Sequence, residues 1–281
     1  MSPPHFVIIG AMKCGTSTLQ AQLAAQPGIF MTEPKEPNFF SNDAVFAQGL
    51  GWYRGLYASA AEGDLTGEAS THYTKLPTYP DTITRLAAEA PSPRLVYVIR
   101  DPFDRLVSHF IHEWTMGEMG GSLDEAIKAH PELVAYSRYA MQIRPWIEQF
   151  GADAVCLSAL EQIKADPAGE LARVAAHIGY AGTPGWQEES AQMNASAERI
   201  RRFPLYDLVV DNPVATWLRR TLVPQGLRDA VKGRLQMKDR PELSAGKRAE
   251  LVETFRAEFA ELRALFPGNA ALDAAARKSA L

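Results

Sequence analysis

A short apolar run that leads into a glycine-rich loop constrains the fold of this chain more than any other feature. The run Phe6–Ile9 reads as a strand buried on both faces, because it is entirely apolar and partly β-branched. The loop Gly10–Ser17 follows at once and opens a helical pattern over Ser17–Gln26. A strand, a tight loop and a helix in this order bring backbone N–H groups and a helix N-terminus together, an arrangement that binds phosphate.

The order of residues in the loop indicates what kind of anion it binds. Gly10 and Gly15 have the spacing of a phosphate loop, but Thr16 stands where the nucleoside-triphosphate motif has its lysine. The lysine lies inside the loop instead, at Lys13, which predicts an anion of a different shape from a triphosphate–metal unit. A turn without a ligand is the alternative, and the three hydroxyl residues after Gly15 weaken it. Cys14 reads as a small buried filler rather than a nucleophile.

The alternation of strand and helix continues to about residue 180. Further strands are predicted at Asp64–Gly67, Leu95–Ile99 and Ala154–Leu157. Helices are predicted at Ser17–Gln26, Val45–Ala58, Thr78–Ala90, Pro102–Met116, Leu123–Ala129, Leu133–Phe150 and Pro167–Ile178. This pattern is typical of an α/β protein, here a P-loop-type three-layer sandwich with a central parallel sheet flanked by helices.

The remainder of the chain reads as a helical C-terminal section. An amphipathic helix begins at the N-cap Ser244 and carries apolar residues every three to four positions. Residues 183–243 are rich in arginine and poor in periodicity, and they are a candidate lid or acceptor-binding segment. Because no repeat or low-complexity linker interrupts the chain, residues 1–281 are expected to form a single domain. The apolar residues of the final helix are Leu251, Phe255, Phe259, Leu262 and Phe266.

Composition limits the partners and the location. The chain has 281 residues and a net charge of −4, which argues against a general nucleic-acid or anionic-membrane binder. No run approaches the roughly 18 apolar residues of a membrane span. Cys14 and Cys156 lie far apart without metal-ligand spacing, so neither a disulfide scaffold nor a metal site is expected. The apolar start is too short for a signal peptide, and we expect a cytoplasmic protein. The sequence does not indicate an oligomeric state.

A second anion site is predicted where the strand Leu95–Ile99 ends. Arg100 follows this strand at the edge where α/β sheets bind ligands, and an Asp-Pro pair begins the next helix. Ser108 and His112 recur at helical spacing on the polar stripe of that helix. An arginine and a hydroxyl are a natural pair for a terminal phosphate, although an ion pair with a following aspartate would also explain Arg100. Two phosphate sites without a Mg²⁺-binding strand point to a nucleotide bound without a metal.

Together these stretches resemble the family of sulfotransferases that use 3′-phosphoadenosine 5′-phosphosulfate (PAPS), particularly the branch of heparan-sulfate sulfotransferases and their bacterial relatives. The resemblance lies in Gly10–Leu19, Lys35–Phe40, Gly67–Tyr73 and Arg100–His109, and it continues to about Gly179. It implies transfer of a sulfuryl group from PAPS to a hydroxyl or amine of a small-molecule, lipid or carbohydrate acceptor, with no metal required.

The resemblance also implies roles for the matching residues. Lys13 would contact the sulfuryl group and its leaving oxygen, Glu36 would take the acceptor's proton, and His112 stands where N-sulfating relatives have an active-site histidine. PAPS would be held by residues of both anion sites: Lys13, Cys14, Gly15, Thr16, Ser17 and Thr18 around the 5′-phosphosulfate, with Arg100 and Ser108 around the 3′-phosphate.

Some positions depart from the pattern of this family. Asn38 and Ser41 stand where some 3-O-sulfating relatives have a histidine and an acidic residue, which argues against a heparan-type glycan acceptor. The segment Lys232-Gly233-Arg234 matches the family's nucleotide-covering loop, but its distance to Pro241 is longer than expected.

Other interpretations stay open at the level of sequence. Without the resemblance, Glu36 would read as a surface carboxylate paired with Lys35, and Glu68 either positions the acceptor or caps a turn. A P-loop kinase with a variant loop and a non-catalytic nucleotide-binding protein are the alternative functions.

Overall fold

In the part of the chain that the structure describes, five parallel strands form the central sheet. The structure is a computed structural model that describes residues 4–188, 237 and 239–281. The strands lie in the spatial order β2-β3-β1-β4-β5, and each neighbouring pair is parallel. The carboxyl ends of the central strands therefore meet at one edge of the sheet, and so do the loops that follow them. The strands are β1 (Phe6–Gly10), β2 (Ile29–Met31), β3 (Leu65–Ala69), β4 (Arg94–Ile99) and β5 (Val155–Ala159).

Helices flank this sheet, which confirms the prediction of an α/β sandwich with a central parallel sheet. Within the described residues, no helix is long and apolar enough to cross a membrane. The helices are α1 (Thr16–Ala24), α2 (Asp43–Phe46), α3 (Gly49–Gly55), α4 (Thr82–Glu89), α5 (Pro102–Met116), α6 (Leu123–Ala129), α7 (Glu132–Ala135), α8 (Tyr139–Phe150), α9 (Leu160–Ala165), α10 (Pro167–His177), α11 (Ala245–Leu265) and α12 (Ala270–Ala276). Short 3₁₀ turns occupy Thr71–Thr74, Ala152–Ala154 and Arg277–Ser279.

Helix α5 has the bounds that its sequence predicts, because both of its ends are capped. The Asp101 carboxylate accepts the N–H groups of Phe103 and Asp104 at 3.1 and 3.0 Å, and Pro102 occupies the first turn. Gly117 ends the helix in the left-handed conformation, with φ 86°. The apolar face of α5 is buried against the C-terminal section, where the ring of Phe103 packs edge-on at 5.0 Å on that of Phe255.

Strand β2 is absent from the sequence-based prediction. It has only three residues, Ile29–Met31, and follows a Pro-Gly turn, so it is too short to produce a readable alternation. Pairing with β3 stabilises it, and the pairing continues past its end: the N–H of Thr32 donates to the Gly67 carbonyl at 3.1 Å. The position of the loop after β2 is therefore set by an edge strand that the local sequence does not reveal.

Two predicted helices are divided in the structure. The predicted Val45–Ala58 is α2 and α3, separated at Gly49, whose φ of 82° is left-handed. The predicted Leu133–Phe150 is α7 and α8, because the N–H groups of Ser137 and Arg138 donate three residues back in tight turns. Periodicity of apolar residues continues across both breaks, which is why the pattern predicts single helices.

The C-terminal helices pack against the sheet domain described above. Ser244 caps α11 by accepting the N–H of Lys247, as the sequence predicts. Glu258 of α11 accepts the Arg138 guanidinium at 2.9 Å and the Met141 N–H at 3.0 Å, and thereby caps α8. The segment Lys232-Gly233-Arg234 and most of the candidate lid 183–243 lie outside the described residues, so the single domain over 1–281 stays a prediction.

Candidate functional site

The loop between β1 and α1 presents an uncapped helix N-terminus. Gly15 precedes α1 with φ 89°, no side chain among the described residues caps the helix, and its first turn carries no acidic residue. The first N–H groups of a helix have no partner within the helix, so those of Thr16 and Ser17 are available to an anion. Two features require a glycine at position 15: its φ is left-handed, and a Cβ would lie 2.7 Å from Leu160 Cδ1. These features fit a bound phosphate group.

Two arginines, one directly after β4 and one in α5, donate hydrogen bonds to backbone carbonyls of the same loop. Arg105 Nε donates to the Met12 carbonyl at 3.3 Å, and Arg100 Nη1 donates to the Lys13 carbonyl at 3.4 Å. Because C=O and N–H of a trans peptide point in opposite directions, the Lys13 N–H faces away from Arg105. The polar stripe predicted on α5 thus faces this loop and not solvent, which explains why Arg105 is fully buried.

Replacing Arg105 by methionine is expected to destabilise the protein by about 2–3 kcal/mol, because buried acceptors lose a charged donor. Besides Met12, Arg105 Nη1 donates to the Leu133 carbonyl and to Ser137 Oγ, each at 3.0 Å. Urea unfolding measures the change. Arg256→Met, at an exposed ion pair of α11, is the control and should change stability little; equal losses would contradict the structural role of Arg105.

Cys14 offers little to a ligand. Its thiol is buried 3.7 Å from the Tyr139 hydroxyl, and its N–H already donates to the Ala11 carbonyl at 3.2 Å. Burial raises the pKa of the thiol to about 11. Cys14 and Cys156 are both buried free thiols.

Glu36 lies in the loop that follows β2, beside the end of β3. Its N–H donates to the Ala69 carbonyl at 3.1 Å, which continues the sheet pairing as far as this residue. Its carboxylate accepts Lys35 Nζ at 2.6 Å and Thr71 Oγ1 at 3.3 Å. The ion pair with Lys35 is the one expected of a surface carboxylate. In addition, Glu36 lies close enough to the phosphate loop for its charge to raise the pKa of Lys13.

Burial alone would raise the pKa of Glu36, but the hydrogen bond and charge of Lys35, with the charges of His72 and Lys75, lower it below its ordinary value. The carboxyl group is therefore ionised at neutral pH and is able to accept a proton.

Lys13 and His112 lie close enough for the charge of one to act on the other. Burial lowers the pKa of Lys13, partly offset by the charges of Glu113 and Glu36. Burial and the charge of Lys13 lower the pKa of His112, so its imidazole is neutral at neutral pH. Glu113, one residue after His112, has a lowered pKa because it accepts from His109 Nε2 at 3.3 Å.

His109 is hydrogen-bonded to Arg105, the buried arginine that contacts the phosphate loop. Its Nδ1 lies 2.8 Å from Arg105 Nη2, and an arginine only donates, so Nδ1 accepts and Nε2 carries the hydrogen that Glu113 receives. Burial lowers the pKa of His109 to about 4, which agrees with this neutral form.

Lys75 and His72 line the site and were missed as functional residues by sequence reasoning. Lys75 is only 9% exposed; its ammonium lies 5.8 Å from the Tyr136 ring centroid and makes no ion pair within the described residues. Burial lowers its pKa to about 8, and the charge of Glu36 acts against that shift. His72 stacks on Tyr79 at 4.8 Å, and burial lowers its pKa to about 4. The available signal is their position: His72 lies inside the matching stretch Gly67–Tyr73, and Lys75 follows that stretch by two residues.

The second anion site lies at the start of α5. Arg100 is half-buried, and its Nη2 is 3.9 Å from Asp104 Oδ2, so the ion pair with a following aspartate exists as a long contact. Ser108 is half-buried one helical turn after Asp104, on the same stripe as His112. Five aromatic residues near the two loops belong to the core: Phe39, Phe40, Tyr53, Tyr73 and Tyr139 are all buried.

Glu68 neither faces the cleft nor caps a turn. It is fully buried in β3 and accepts the hydroxyls of Tyr53, Ser70 and Tyr73 at 2.7, 2.9 and 3.0 Å. Burial outweighs these bonds and raises the pKa of Glu68 to about 7. Within the described residues, no group of three or more His, Cys, Asp or Glu side chains has the arrangement of a metal site.

The raised pKa of Glu68 makes stability depend on pH. Since its ordinary pKa is 4.5 and its folded pKa about 7, the folded state binds more protons between these values. Stability is then highest below pH 4.5 as far as this group is concerned, and it falls as pH rises to about 7, by about 3 kcal/mol. We expect urea unfolding at pH 5 and pH 8 to show this decline in the wild type and in the exposed control Glu62→Gln, but not in Glu68→Gln. A decline of the same size in Glu68→Gln would assign it to other groups.

Comparison with known proteins identifies relatives. A family profile described as "Sulfotransferase domain" matches residues 3–206. The heparan sulfate glucosamine 3-O-sulfotransferase 3A1 of Mus musculus is 29% identical over 189 residues, 63% of this chain and 46% of that protein. The membrane-associated sulfotransferase kil1 of Dictyostelium discoideum is 34% identical over 116 residues, 40% of this chain and 24% of that protein. The chain spans about half the length, or less, of the curated relatives it matches.

Solved structures share the fold. A sulfotransferase from Alicyclobacillus acidocaldarius has a TM-score of 0.65 at 22% identity, covering 94% of this chain and 96% of that one. The sulfotransferase domain of the curacin biosynthetic pathway has a TM-score of 0.51 at 16% identity, covering 92% and 97%. Identities this low establish a common fold alone.

Proposed function

Because the chain belongs to the sulfotransferase family, we propose that it transfers a sulfuryl group from PAPS to a hydroxyl or amine of an acceptor. The observation that carries this proposal is the convergence of two loops on one cleft. Lys13 comes from the loop after β1 and Glu36 from the loop after β2, and the charge of Glu36 acts on the Lys13 ammonium. A cation suited to the leaving group and a base suited to the acceptor would thus stand in neighbouring loops at one edge of the parallel sheet.

The donor end of the cleft fits PAPS through two separate anion sites. PAPS supplies an activated sulfuryl group together with a 5′- and a 3′-phosphate. The uncapped start of α1 would hold the 5′-phosphate through N–H groups and the hydroxyls of Thr16, Ser17 and Thr18. Arg100 and Ser108 would hold the 3′-phosphate, with the guanidinium as the charged donor.

Lys13 would stabilise the leaving group. Negative charge grows on the oxygen between phosphate and sulfuryl group as the bond breaks, and a preorganised cation in a partly desolvated cleft stabilises that charge. Burial lowers the pKa of Lys13, yet Glu113 and Glu36 act to keep its amine protonated.

Glu36 would accept the acceptor's proton. Its lowered pKa keeps it ionised, and Lys35 and Thr71 hold its carboxylate in place. His112, neutral and close enough to Lys13 for the two to interact, would orient the acceptor's hydroxyl or amine.

The acceptor is proposed to be a small molecule, a lipid or a carbohydrate. Relatives named for heparan sulfate favour a carbohydrate, whereas Asn38 and Ser41 differ from the pattern of 3-O-sulfating relatives. The nearly buried Lys75 at the cleft favours an acceptor with a negative group near its reacting atom. The cytoplasmic location stays a prediction.

Two measurements test the proposal. Calorimetry with adenosine 3′,5′-bisphosphate (PAP) and with ATP·Mg²⁺ separates the donors: tight PAP binding supports the sulfotransferase, and binding of ATP·Mg²⁺ alone supports the kinase alternative. A screen of hydroxyl, amine and phenol acceptors with sulfur-labelled PAPS then tests transfer. PAP binding without transfer to any acceptor would favour a non-catalytic nucleotide-binding protein.

A further inference from the structure

Asp104, in the first turn of α5, is surrounded by three cations. Lys278 Nζ lies 2.6 and 2.7 Å from its two carboxylate oxygens, and Arg240 Nη2 lies 2.6 Å from Oδ1. Arg100 Nη2 is farther away, 3.9 Å from Oδ2. The two close partners come from the C-terminal part of the chain, whereas Arg100 directly follows β4 and donates to the Lys13 carbonyl of the phosphate loop. Asp104 is therefore bound by the remote cations and only loosely by its neighbour.

This distribution matters because Asp104 would compete with any phosphate that Arg100 binds. The side chains of Arg100 and Asp104 are 18% and 17% exposed, so a direct pair between them would be only partly screened by water. A free carboxylate this close would draw the guanidinium into a bidentate pair. It would also repel any phosphate bound beside it. Both effects shrink when two other cations neutralise the carboxylate.

The C-terminal turn that carries Lys278 has a second anchor at the same place. The Ser279 hydroxyl donates to the Asp101 carboxylate, whose other oxygen caps α5. The preceding residues Ala275 and Ala276 of α12 are buried in the core. The turn is thus attached on both sides, and Lys278 is directed at Asp104 by the fold.

We propose that Arg240 and Lys278 are positioning residues for the donor site: they bind Asp104 and so leave Arg100 free to bind the 3′-phosphate. This inference rests on the proposed function. Arg240 and Lys278 do not touch the phosphate themselves; they act through Asp104. Their contribution therefore exists only while residue 104 is an acid and only for ligands that carry a 3′-phosphate.

A double-mutant cycle tests this dependence. The variant with Arg240→Ala and Lys278→Ala is compared with the wild type in calorimetric affinity for PAP and for 5′-AMP, at low ionic strength. We expect the PAP affinity to fall by about fivefold, the size of a partly exposed ion pair, and the 5′-AMP affinity to stay unchanged. In the Asp104→Asn background, the same two substitutions should leave the PAP affinity unchanged.

The cycle has results that would overturn the inference. A loss of PAP affinity that persists in the Asp104→Asn background would mean direct contact with the phosphate or a structural role. An equal loss of affinity for 5′-AMP would mean that the two substitutions disturb the nucleotide site as a whole and do not act on the 3′-phosphate alone. Arg144→Ala, which removes an ion pair joining α8 to Glu261 of α11, is the matched control and should leave both affinities unchanged.

The two proposals fail in different ways. If the wild-type protein binds PAP no more tightly than 5′-AMP, no 3′-phosphate site exists, and the assignment of Arg100 in the proposed function falls together with this inference. If the wild type prefers PAP and the coupling to Asp104 is missing, the inference falls and the proposed function stands.

Discussion

Replacing Lys13 by alanine is expected to lower the turnover of sulfuryl transfer by about 10²–10³-fold, because the leaving oxygen loses its only close cation in the phosphate loop. The fold should persist, since Lys13 is half-exposed and its side chain takes no part in the core. Turnover with labelled PAPS and a saturating acceptor measures the loss. Thermal unfolding of the variant checks that the structure is intact.

A control lysine and a binding measurement show whether the loss of turnover depends on where the removed charge lies. Lys164→Ala removes an exposed lysine in the last turn of α9 and should leave turnover unchanged. PAP affinity of Lys13→Ala should fall less than turnover, because PAP lacks the sulfuryl group that the ammonium faces during transfer. Near-normal turnover of Lys13→Ala would remove this residue from the mechanism.

Replacing Glu36 by glutamine is expected to lower turnover by about 10²–10⁴-fold, because the amide has nearly the same shape but accepts no proton. The affinity for PAP should change little, since Glu36 lies on the acceptor side of the cleft. Glu33→Gln is a close control: it changes an exposed carboxylate of the same loop by the same substitution. Turnover and PAP affinity of both variants decide the outcome.

The ion pair between Lys35 and Glu36 requires one more variant. If the carboxylate served only to bind Lys35, then Lys35→Gln would reduce turnover as much as Glu36→Gln. We expect a much smaller loss, because Glu36 keeps its hydrogen bond from Thr71 and its ionised state is also favoured by Lys75. Equal losses in the two variants would return Glu36 to a structural role.

The donor side of the site could be predicted from sequence because it is built from local segments. The strand, loop and helix around Lys13 are contiguous, and their glycines, hydroxyls and N-terminal position carry the anion chemistry within a few residues. The start of α5 is equally local: Asp101 caps it and Pro102 fits its first turn. The α/β class follows from the same alternation of elements.

The acceptor side depends on contacts between distant parts of the chain. Glu36 lies beside the end of β3 because the three-residue β2 pairs with β3, and nothing in those three residues indicates a strand. Lys75 reaches the cleft by way of the turn after β3, whose Thr74 hydroxyl donates to the Ile9 carbonyl at 2.9 Å. Such pairings are stabilised by neighbours far apart in sequence, so a local pattern does not encode them.

The sequence by itself determined the class of the fold, the phosphate loop with its displaced lysine, and the strand-end arginine at Arg100. Only the tertiary structure decided which charges surround them. Arg105 is buried behind the loop, and Arg240 and Lys278 come from more than 130 residues away to bind Asp104. The physical reason is that a charge acts through distance in space and through burial, and both quantities exist only once the chain has folded.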